Sequence, residues 1–358
     1  MKRFAFHAVA LLTLAACNEP TQPVAPRSPQ ADLAAGPSSR FTVTDIGSLG
    51  GTFTQAFRIN EVGQVTGGST TSSGDLHAFL WTQGSGMIDL GTLGGPTSLA
   101  FGINDQGVVV GGSDGPSGHP RAFLWTAAGG MRDLGTLGGA EATAQGVNNR
   151  GEVVGTSTLA AGGPTHGFIW TAQGGMRDAG TLNGTNTRLR TIDDAGMTGA
   201  GSGNVGSGGH SHAVLWRLAT GFQDLGTLGS DPSSAWRIND RGQVIGASFT
   251  PTSQHAFLWT QATGMVDLGA LNGSDGVSDA FDISDLGQVV GSTTTPADPN
   301  NVHAYVWSQT AGMQQLPDLA GEIDSGGYGI NDAGQIIGFA DTPDGRTRGV
   351  LWTPMPGR

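Results

Sequence analysis

One basic or titratable residue recurs at the same place in seven sequence repeats, and in five of them an acid follows it at constant spacing. The repeated position carries His77, Arg121, His166, His212, His255, His303 and Arg348. Twelve residues after the first six stand Asp89, Asp133, Asp178, Asp224, Asp267 and Gln315, and Asp45 would serve Arg348 if the chain closes on itself. Imidazole and carboxylate groups could bind a metal or form hydrogen bonds.

The even distribution of these groups favours hydrogen bonds over metal. A zinc site needs three or four converging ligands, and one histidine per repeat keeps such ligands apart. We therefore predict a structural pair between neighbouring strands in each repeat, which satisfies polar groups that are costly to bury. No metal site is predicted from these residues.

A second set of polar residues lies in loops that differ from repeat to repeat, and it is our candidate binding face: Asp114, His119, His210, Asp231, Asp298 and Asp344. Calcium bound by loop acids stays open as an alternative, although the chain contains no D-x-D-x-D-G string. The segment Gly111–Gly115 fits G-x-S-x-G, but it lies in a loop without the strand-to-helix turn of a nucleophile elbow. No catalytic residue is assigned.

The elements that position these residues follow from the repeat itself. Each repeat offers four short apolar segments bounded by glycine or Asn-Asp turns, which is typical of strands. Seven tryptophans mark the repeats at spacings of 43 to 48 residues, and we predict that they pack between repeats: Trp81, Trp125, Trp170, Trp216, Trp259, Trp307 and Trp352. A period near 45 with strands throughout predicts an all-β, seven-bladed β-propeller with four-stranded blades.

The two ends of the repeat region support a closed ring. The last repeat stops at Leu351-Trp352-Thr353 without a fourth strand, whereas Phe41 to Gly47 matches a fourth strand. We expect this N-terminal strand to complete the last blade of a propeller spanning 41–354, which leaves no free sheet edge. An open solenoid is the alternative.

The link between the second and third strands varies in length and sequence, whereas the other links are uniform. Turns that specify a fold stay uniform, and loops without that duty can specialise. In a four-stranded meander this link shares an end with the link to the next repeat. That end is the predicted binding face.

The N-terminus has the features of an export signal. Lys2 and Arg3 precede the apolar stretch Phe4 to Leu14, which is too short for a membrane span. The string Leu14-Ala15-Ala16-Cys17 resembles the bacterial lipobox, and Cys17 is the single cysteine. We expect residues 1–16 to be removed and Cys17 to anchor the protein to a membrane through lipid, at the periplasmic face or the cell surface. Residues 17–40 read as a flexible Pro/Ala/Ser-rich tether, and 355–358 as a tail.

Composition excludes some partners. The formal net charge is −12, and loss of Lys2 and Arg3 with the signal makes it more negative. Such a chain is repelled by nucleic acid, so none is expected as a partner. No cofactor motif is found, and a monomer is expected.

The string His-Ala-Phe at 77–79 and 255–257, each followed by Leu-Trp, resembles the bacterial extracellular family called HAF repeats. The I-N-D-x-G and D-L-G-T-L-G-G boxes of that family also recur, and the resemblance covers about 41–354. It departs at Arg121 and Arg348, which replace histidine, and at Gln315-Leu316-Pro317, which replaces Asp-Leu-Gly. The resemblance implies secreted or surface proteins and supplies no catalytic residue.

These features together predict a binding scaffold rather than an enzyme, because the repeated polar residues occur in every repeat and no acid, base and nucleophile cluster stands out. The predicted partner is a glycan or a protein held by the variable loops. The alternative is a propeller-type hydrolase or lyase acting on polysaccharide, with loop carboxylates and histidine at the channel mouth.

Overall fold

The computed structural model describes residues 40–160, 162–205 and 209–355, which form 28 β-strands and a short 3-10 helix at Gly273–Asp275. Residues 1–39, which include the predicted signal segment, Cys17 and most of the predicted tether, and residues 356–358 lie outside the described residues. No described helix has the length and apolar character needed to cross a membrane.

The strands group into seven consecutive units, and equivalent strands occupy equivalent places. First strands are β2 (Gly50–Ile59), β6 (Ser98–Ile103), β10 (Ala142–Val147), β14 (Thr187–Ile192), β18 (Ser230–Ile238), β22 (Ser278–Ile283) and β26 (Asp324–Ile330). Second strands are β3 (Val65–Thr71), β7 (Val109–Asp114), β11 (Val153–Thr158), β15 (Thr198–Val205), β19 (Val244–Phe249), β23 (Val289–Thr294) and β27 (Ile336–Asp341). Third strands are β4 (Leu76–Thr82), β8 (Pro120–Thr126), β12 (Thr165–Thr171), β16 (His210–Arg217), β20 (Gln254–Thr260), β24 (Val302–Ser308) and β28 (Thr347–Pro354). Fourth strands are β5 (Gly86–Asp89), β9 (Gly130–Asp133), β13 (Gly175–Asp178), β17 (Gly221–Asp224), β21 (Gly264–Gly269), β25 (Gly312–Gln315) and β1 (Phe41–Asp45).

Units 2 to 6 are separate four-stranded antiparallel sheets. Unit 7 takes its fourth strand from the start of the chain, since β1 pairs antiparallel with β28 from Phe41 opposite Pro354 to Asp45 opposite Val350. A single parallel bridge between Phe53 and Thr347 connects unit 7 to unit 1.

The apolar core lies between the units rather than within one layer. Seven buried clusters each combine residues of two neighbouring units, including one that joins units 7 and 1. Phe257 and Trp259 of unit 5, for example, pack with Leu215 and Leu225 of unit 4. Six of the repeat tryptophans are 9% exposed or less, whereas Trp307 is partly exposed. Each unit therefore needs its neighbour to bury its apolar face.

Every first strand contains a β-bulge near its C-terminal end. In unit 5 the register shifts between Ala235 and Arg237, so Trp236 is the extra residue. A glycine of the second strand lies opposite, and a Cβ added at Gly246 would lie 2.0 Å from the carbonyl oxygen of Ser234. The equivalent glycines meet the same close backbone approach: Gly67, Gly111, Gly155, Gly201, Gly246, Gly291 and Gly338. The final glycine of the G-x-V-V-G box thus makes room for the bulge, which re-aims one side chain.

The strand order gives each unit two ends. The "turn end" carries the links from first to second and from third to fourth strands. The "loop end" carries the links from second to third strands and from each unit to the next. First strands run from the loop end to the turn end.

Candidate functional site

The extra residues of the seven bulges form a ring of side chains, which we call the inner ring: Phe57, Phe101, Gln145, Arg190, Trp236, Phe281 and Tyr328. Five neighbouring pairs of members are in contact. The Tyr328 ring centroid lies 4.6 Å from that of Phe281 and 5.8 Å from that of Phe57. The Arg190 guanidinium carbon lies 3.8 Å from the centroid of the Trp236 ring, a cation–π contact.

Arginines cluster at and beside the inner ring with few acids to balance them. Burial lowers the pKa of Arg58 to about 9, helped by the charges of Arg237 and Arg190 and opposed by Asp282. Burial also lowers the pKa of Arg190 to about 9, and the charge of Arg188 adds to this. At neutral pH these guanidinium groups remain charged.

The hydrogen bonds of these arginines are incomplete. Arg58 Nη1 donates to the carbonyl oxygens of Phe57 at 2.6 Å and Tyr328 at 2.7 Å. Arg237 Nε pairs with Asp282 Oδ1 at 3.0 Å. The Nε atoms of Arg58 and Arg190 are buried and have no hydrogen-bond partner among the described residues. A buried N–H without an acceptor is costly, so these groups are suited to an added anion.

The first-strand residues two positions nearer the loop end are of seven different types: Gln55, Leu99, Thr143, Arg188, Ser234, Asp279 and Gly326. Asp279 accepts a hydrogen bond from Gln254 Nε2 at 2.7 Å. Burial raises the pKa of Asp279 to about 6, although this hydrogen bond lowers it. A carboxyl group with such a pKa can exchange a proton near neutral pH.

The repeated basic residues lie beside their acids in six of the seven units. His77, His166, His212 and His255 place Nδ1 within 3.0 Å of the acid twelve residues later. Arg121 pairs with Asp133 at 3.0 Å, and Arg348 with Asp45 at 2.8 Å across the two ends of the chain. Unit 6 departs from this pattern, because Gln315 replaces the acid and His303 faces other groups.

His212 has a second partner. Its Nε2 lies 2.7 Å from Asp231 of unit 5, and its Nδ1 lies 2.8 Å from Asp224. Burial lowers the pKa of His212, but the hydrogen bonds and charges of both acids outweigh burial and raise it overall. This pair of contacts links unit 4 to unit 5.

The predicted binding-face residues lie in separate small groups rather than at one point. Asp114 accepts from Thr97, and Asp298 from Asn301. Ion pairs hold the other members: His119 with Glu141, His210 with Asp231, which also pairs with His212, and Asp344 with Arg346. Within the described ranges, the convergent group of three His, Cys, Asp or Glu ligands is His303, Asp318 and Glu322.

Sequence reasoning missed a second ring, at the turn end, which we call the acid ring: Glu61, Asp105, Asn149, Asp194, Asp240, Asp285 and Asp332. Each backbone N–H donates to the side chain at the same position of the next unit, as from Asp194 to Asp240 at 2.9 Å. The last bond runs from Asp332 to Glu61 at 3.0 Å. The signal was an acid or amide at the second turn position in every repeat.

Asp240→Asn is expected to raise the melting temperature at pH 8 by about 1–2 °C. Burial, with the charges of Asp194 and Asp285, raises the pKa of Asp240. A carboxyl whose pKa is raised in the fold favours folding when protonated, and this contribution is lost as pH rises through the folded pKa. The variant's advantage should therefore shrink as pH falls toward 4, roughly the pKa of a free Asp. Asn149 shows that the ring accepts an amide. Thermal scans across pH would contradict this if the variant were less stable at pH 8.

A groove of about 1130 Å³ lies at the turn end between units 6 and 7, with Phe41, Trp307 and Pro354 among its lining residues. It forms where unit 7 has no link between its third and fourth strands. There Met355 N–H donates to the Arg40 carbonyl oxygen at 2.7 Å. We regard the groove as a consequence of the N-terminal strand entering the last unit.

Comparison with known proteins gives a fold and no family. No protein-family model matches the chain. No curated protein matches it either.

Several solved structures resemble it in fold. Virginiamycin B lyase from Staphylococcus aureus has a TM-score of 0.56 at 12% identity, covering 88% of this chain and all of that one. The β-propeller domain of the Trilobed protease from Pyrococcus furiosus, which has an open velcro topology, gives 0.54 at 7% identity, covering 88% and 93%. A puromycin-hydrolyzing peptidase from Mycobacterium tuberculosis gives 0.56 at 11% identity, covering 87% and 54%.

The chain spans about half the length of several of the chains it matches. At these identities the likeness concerns the fold alone. The protein is all-β with a propeller-like arrangement of four-stranded sheets.

Proposed function

We propose that this protein is an exported, lipid-anchored binding module that holds an acidic glycan at its inner ring, and that it is not an enzyme. One observation carries the proposal. The bulge positions of the seven units hold five residue types, and they combine an arginine whose buried Nε has no partner among the described residues with aromatic faces and an amide. Positions that repeat are explained by folding, so positions that differ at a shared site are the ones free to recognise a ligand.

The scaffold in this proposal is a closed ring of seven blades. Its support is that β26 contacts β2 as every other first strand contacts the next. Asn331 Nδ2 also donates to the Asn60 carbonyl oxygen at 3.2 Å, as Asn60 does to Asn104 at 2.9 Å. Such a ring places the inner-ring side chains in one axial channel whose mouth opens at the loop end.

An acidic glycan matches the chemistry of this channel. Guanidinium groups bind carboxylate or sulfate groups through charge-assisted hydrogen bonds. Aromatic faces such as Trp236 and Phe281 offer apolar surface to the C–H face of a sugar ring. Arg188, which is exposed and lies nearer the loop end than Arg190, would meet such a ligand first.

The cellular setting rests on residues 1–17 and on the proposed relationship to HAF repeats. A lipid at Cys17 would hold the binding module at the membrane surface. Mass spectrometry of the membrane-extracted protein tests this, and an unmodified Cys17 would refute it.

Arg190→Gln is expected to weaken binding of polygalacturonate by about tenfold or more, since a hydrogen bond to a charged group contributes about 1.5–3 kcal/mol. Calorimetric titration measures the effect, with dextran as the neutral polymer. Arg241→Gln is the matched control, because Arg241 is exposed at the turn end. Equal binding of dextran, or unchanged affinity in Arg190→Gln, would contradict the proposal.

One observation favours the alternative, a lyase or hydrolase acting on an acidic polysaccharide. Asp279, with a pKa raised by burial to about 6, lies on the same set of first strands as a proton-transfer candidate. Product formation from polygalacturonate that disappears in Asp279→Asn would favour this second function. Binding without products supports the module.

A further inference from the structure

Unit 6 breaks the repeated His–acid pairing, and the break leaves His303 in an unusual state. The residue is 8% exposed, and both its ring nitrogens are buried without a hydrogen-bond partner among the described residues. Gln315, which stands where the acid should be, donates instead to Asp318 Oδ1 at 3.1 Å. A neutral imidazole with both nitrogens unsatisfied is costly to bury, so the surroundings of His303 require an explanation.

Acids surround His303 at distances too long for good hydrogen bonds. Asp318 Oδ1 lies 3.8 Å from Nδ1, and Asp298 Oδ2 lies 3.6 Å from Nε2. Glu322 adds a third carboxylate. The ligand atoms of His303, Asp318 and Glu322 all lie within 4.8 Å of one another.

One oxygen of the Glu322 carboxylate accepts a backbone hydrogen bond, and the other does not. Its Oε2 accepts the backbone N–H of Leu319 at 2.7 Å, which fixes the carboxylate. Its Oε1 is buried and has no hydrogen-bond partner in the part of the chain that the structure describes. Two buried and unpartnered groups, one nitrogen donor and one carboxylate oxygen, thus converge with a third ligand.

This spacing suits a metal ion better than direct pairing. Ligands about 2.1 Å from a tetrahedral ion lie about 3.4 Å from each other, beyond hydrogen-bonding range. Metal-bound histidine usually donates its other N–H to a carboxylate, and Asp298 lies beside Nε2 for that purpose. Gln315 orients Asp318 in the same way.

We propose that His303 Nδ1, Asp318 and Glu322 bind a divalent first-row transition ion such as Zn²⁺, with Asp298 accepting the Nε2 proton. One imidazole and two carboxylates favour zinc or manganese over calcium, which takes oxygen ligands. The ion would tie β24 to the link between β25 and β26, and so unit 6 to unit 7. Asp318 is exposed, so the fourth position would face water.

Metal-stripped full-length protein titrated with Zn²⁺ in a calorimeter tests this. We expect one ion per chain for the natural protein, and at least about 100-fold weaker binding for His303→Gln and for Glu322→Gln. His255→Gln is the matched control, because His255 holds the same position in unit 5 but bonds Asp267. It should bind Zn²⁺ as the natural protein does. Calcium should produce no heat at this site.

Gln315→Asp provides a second test of the metal site. It restores the repeated acid, which would take His303 Nδ1 as in the other units, and should weaken Zn²⁺ binding without unfolding the protein. Melting curves of the metal-free variants check folding, and Glu322→Gln serves if His303→Gln does not fold. The proposal is overturned if the natural protein takes up no Zn²⁺, or if Glu322→Gln and Gln315→Asp both bind it as tightly as the natural chain.

Discussion

Replacement of Gly246 by alanine is expected to lower the free energy of unfolding by about 3 kcal/mol or more. The new Cβ would lie 2.0 Å from the Ser234 carbonyl oxygen and 2.9 Å from both the Ala235 Cα and a Phe257 ring carbon. These neighbours are backbone and a fully buried ring, which cannot move aside cheaply. The melting temperature in a thermal scan should fall by roughly 6–10 °C.

Gly242→Ala, four residues earlier, is the matched control. Gly242 has a φ of 73° and nothing within 4 Å of an added Cβ. Its replacement should cost about 1–2 kcal/mol, the ordinary penalty of a left-handed residue. If both variants lost the same stability, the space beside the bulge would not be the reason for Gly246.

The bulge also shows where sequence reasoning ends. The repeat predicted strands around Ala235 to Asn239 and at His255 to Thr260, and β18 and β20 lie there. An inserted residue breaks the two-residue alternation by one position, so the pattern could not say that Trp236 turns away from the sheet. Its cation–π contact with Arg190 comes from another unit and has no local signal.

For the turn residues, the sequence likewise predicted only hydrogen bonds within the same turn. The Asn-Asp pair predicted a turn in which both side chains bond their own backbone. Asn239 does so through Gln243 N–H at 3.0 Å, but Asp240 accepts from Asp194 of the preceding unit. A repeat reveals the residue types at such a position, whereas the partner depends on how units are arranged in space.

The convergence of acids on His303 in unit 6 also has no local signal in the sequence. One histidine per unit does keep the histidines apart, yet a site can be built from one histidine and acids of a single link. The sequence marked Gln315-Leu316-Pro317 as a departure from the repeat. That Asp318 and Glu322 lie beside His303 depends on how this link folds in space.

Removal of β1 is expected to have an effect as large as the glycine replacement. A chain that begins at Gly47 should lose about 4–6 kcal/mol of stability relative to one that begins at Arg40. It loses the buried side chain of Ile46, which contributes about 1.5–3 kcal/mol, together with the partly buried Phe41 and Val43 and the hydrogen bonds of the strand. Phe41 and Val43 pack against the cluster that contains Trp352, and Val43 lies opposite it in the register. Asp45 and Arg348 form an exposed pair that adds little.

The same deletion should change how the protein associates. Without β1 the backbone groups of β28 form an open sheet edge, which favours pairing with another chain. We therefore expect concentration-dependent oligomers in sedimentation, in contrast to the chain that begins at Arg40. A synthetic peptide of residues 40–46 added to the shortened chain should bind the edge, raise the melting temperature in a saturable way and dissolve the oligomers. A shortened chain as stable and monomeric as its control would mean that β1 lies beside the last unit without stabilising it.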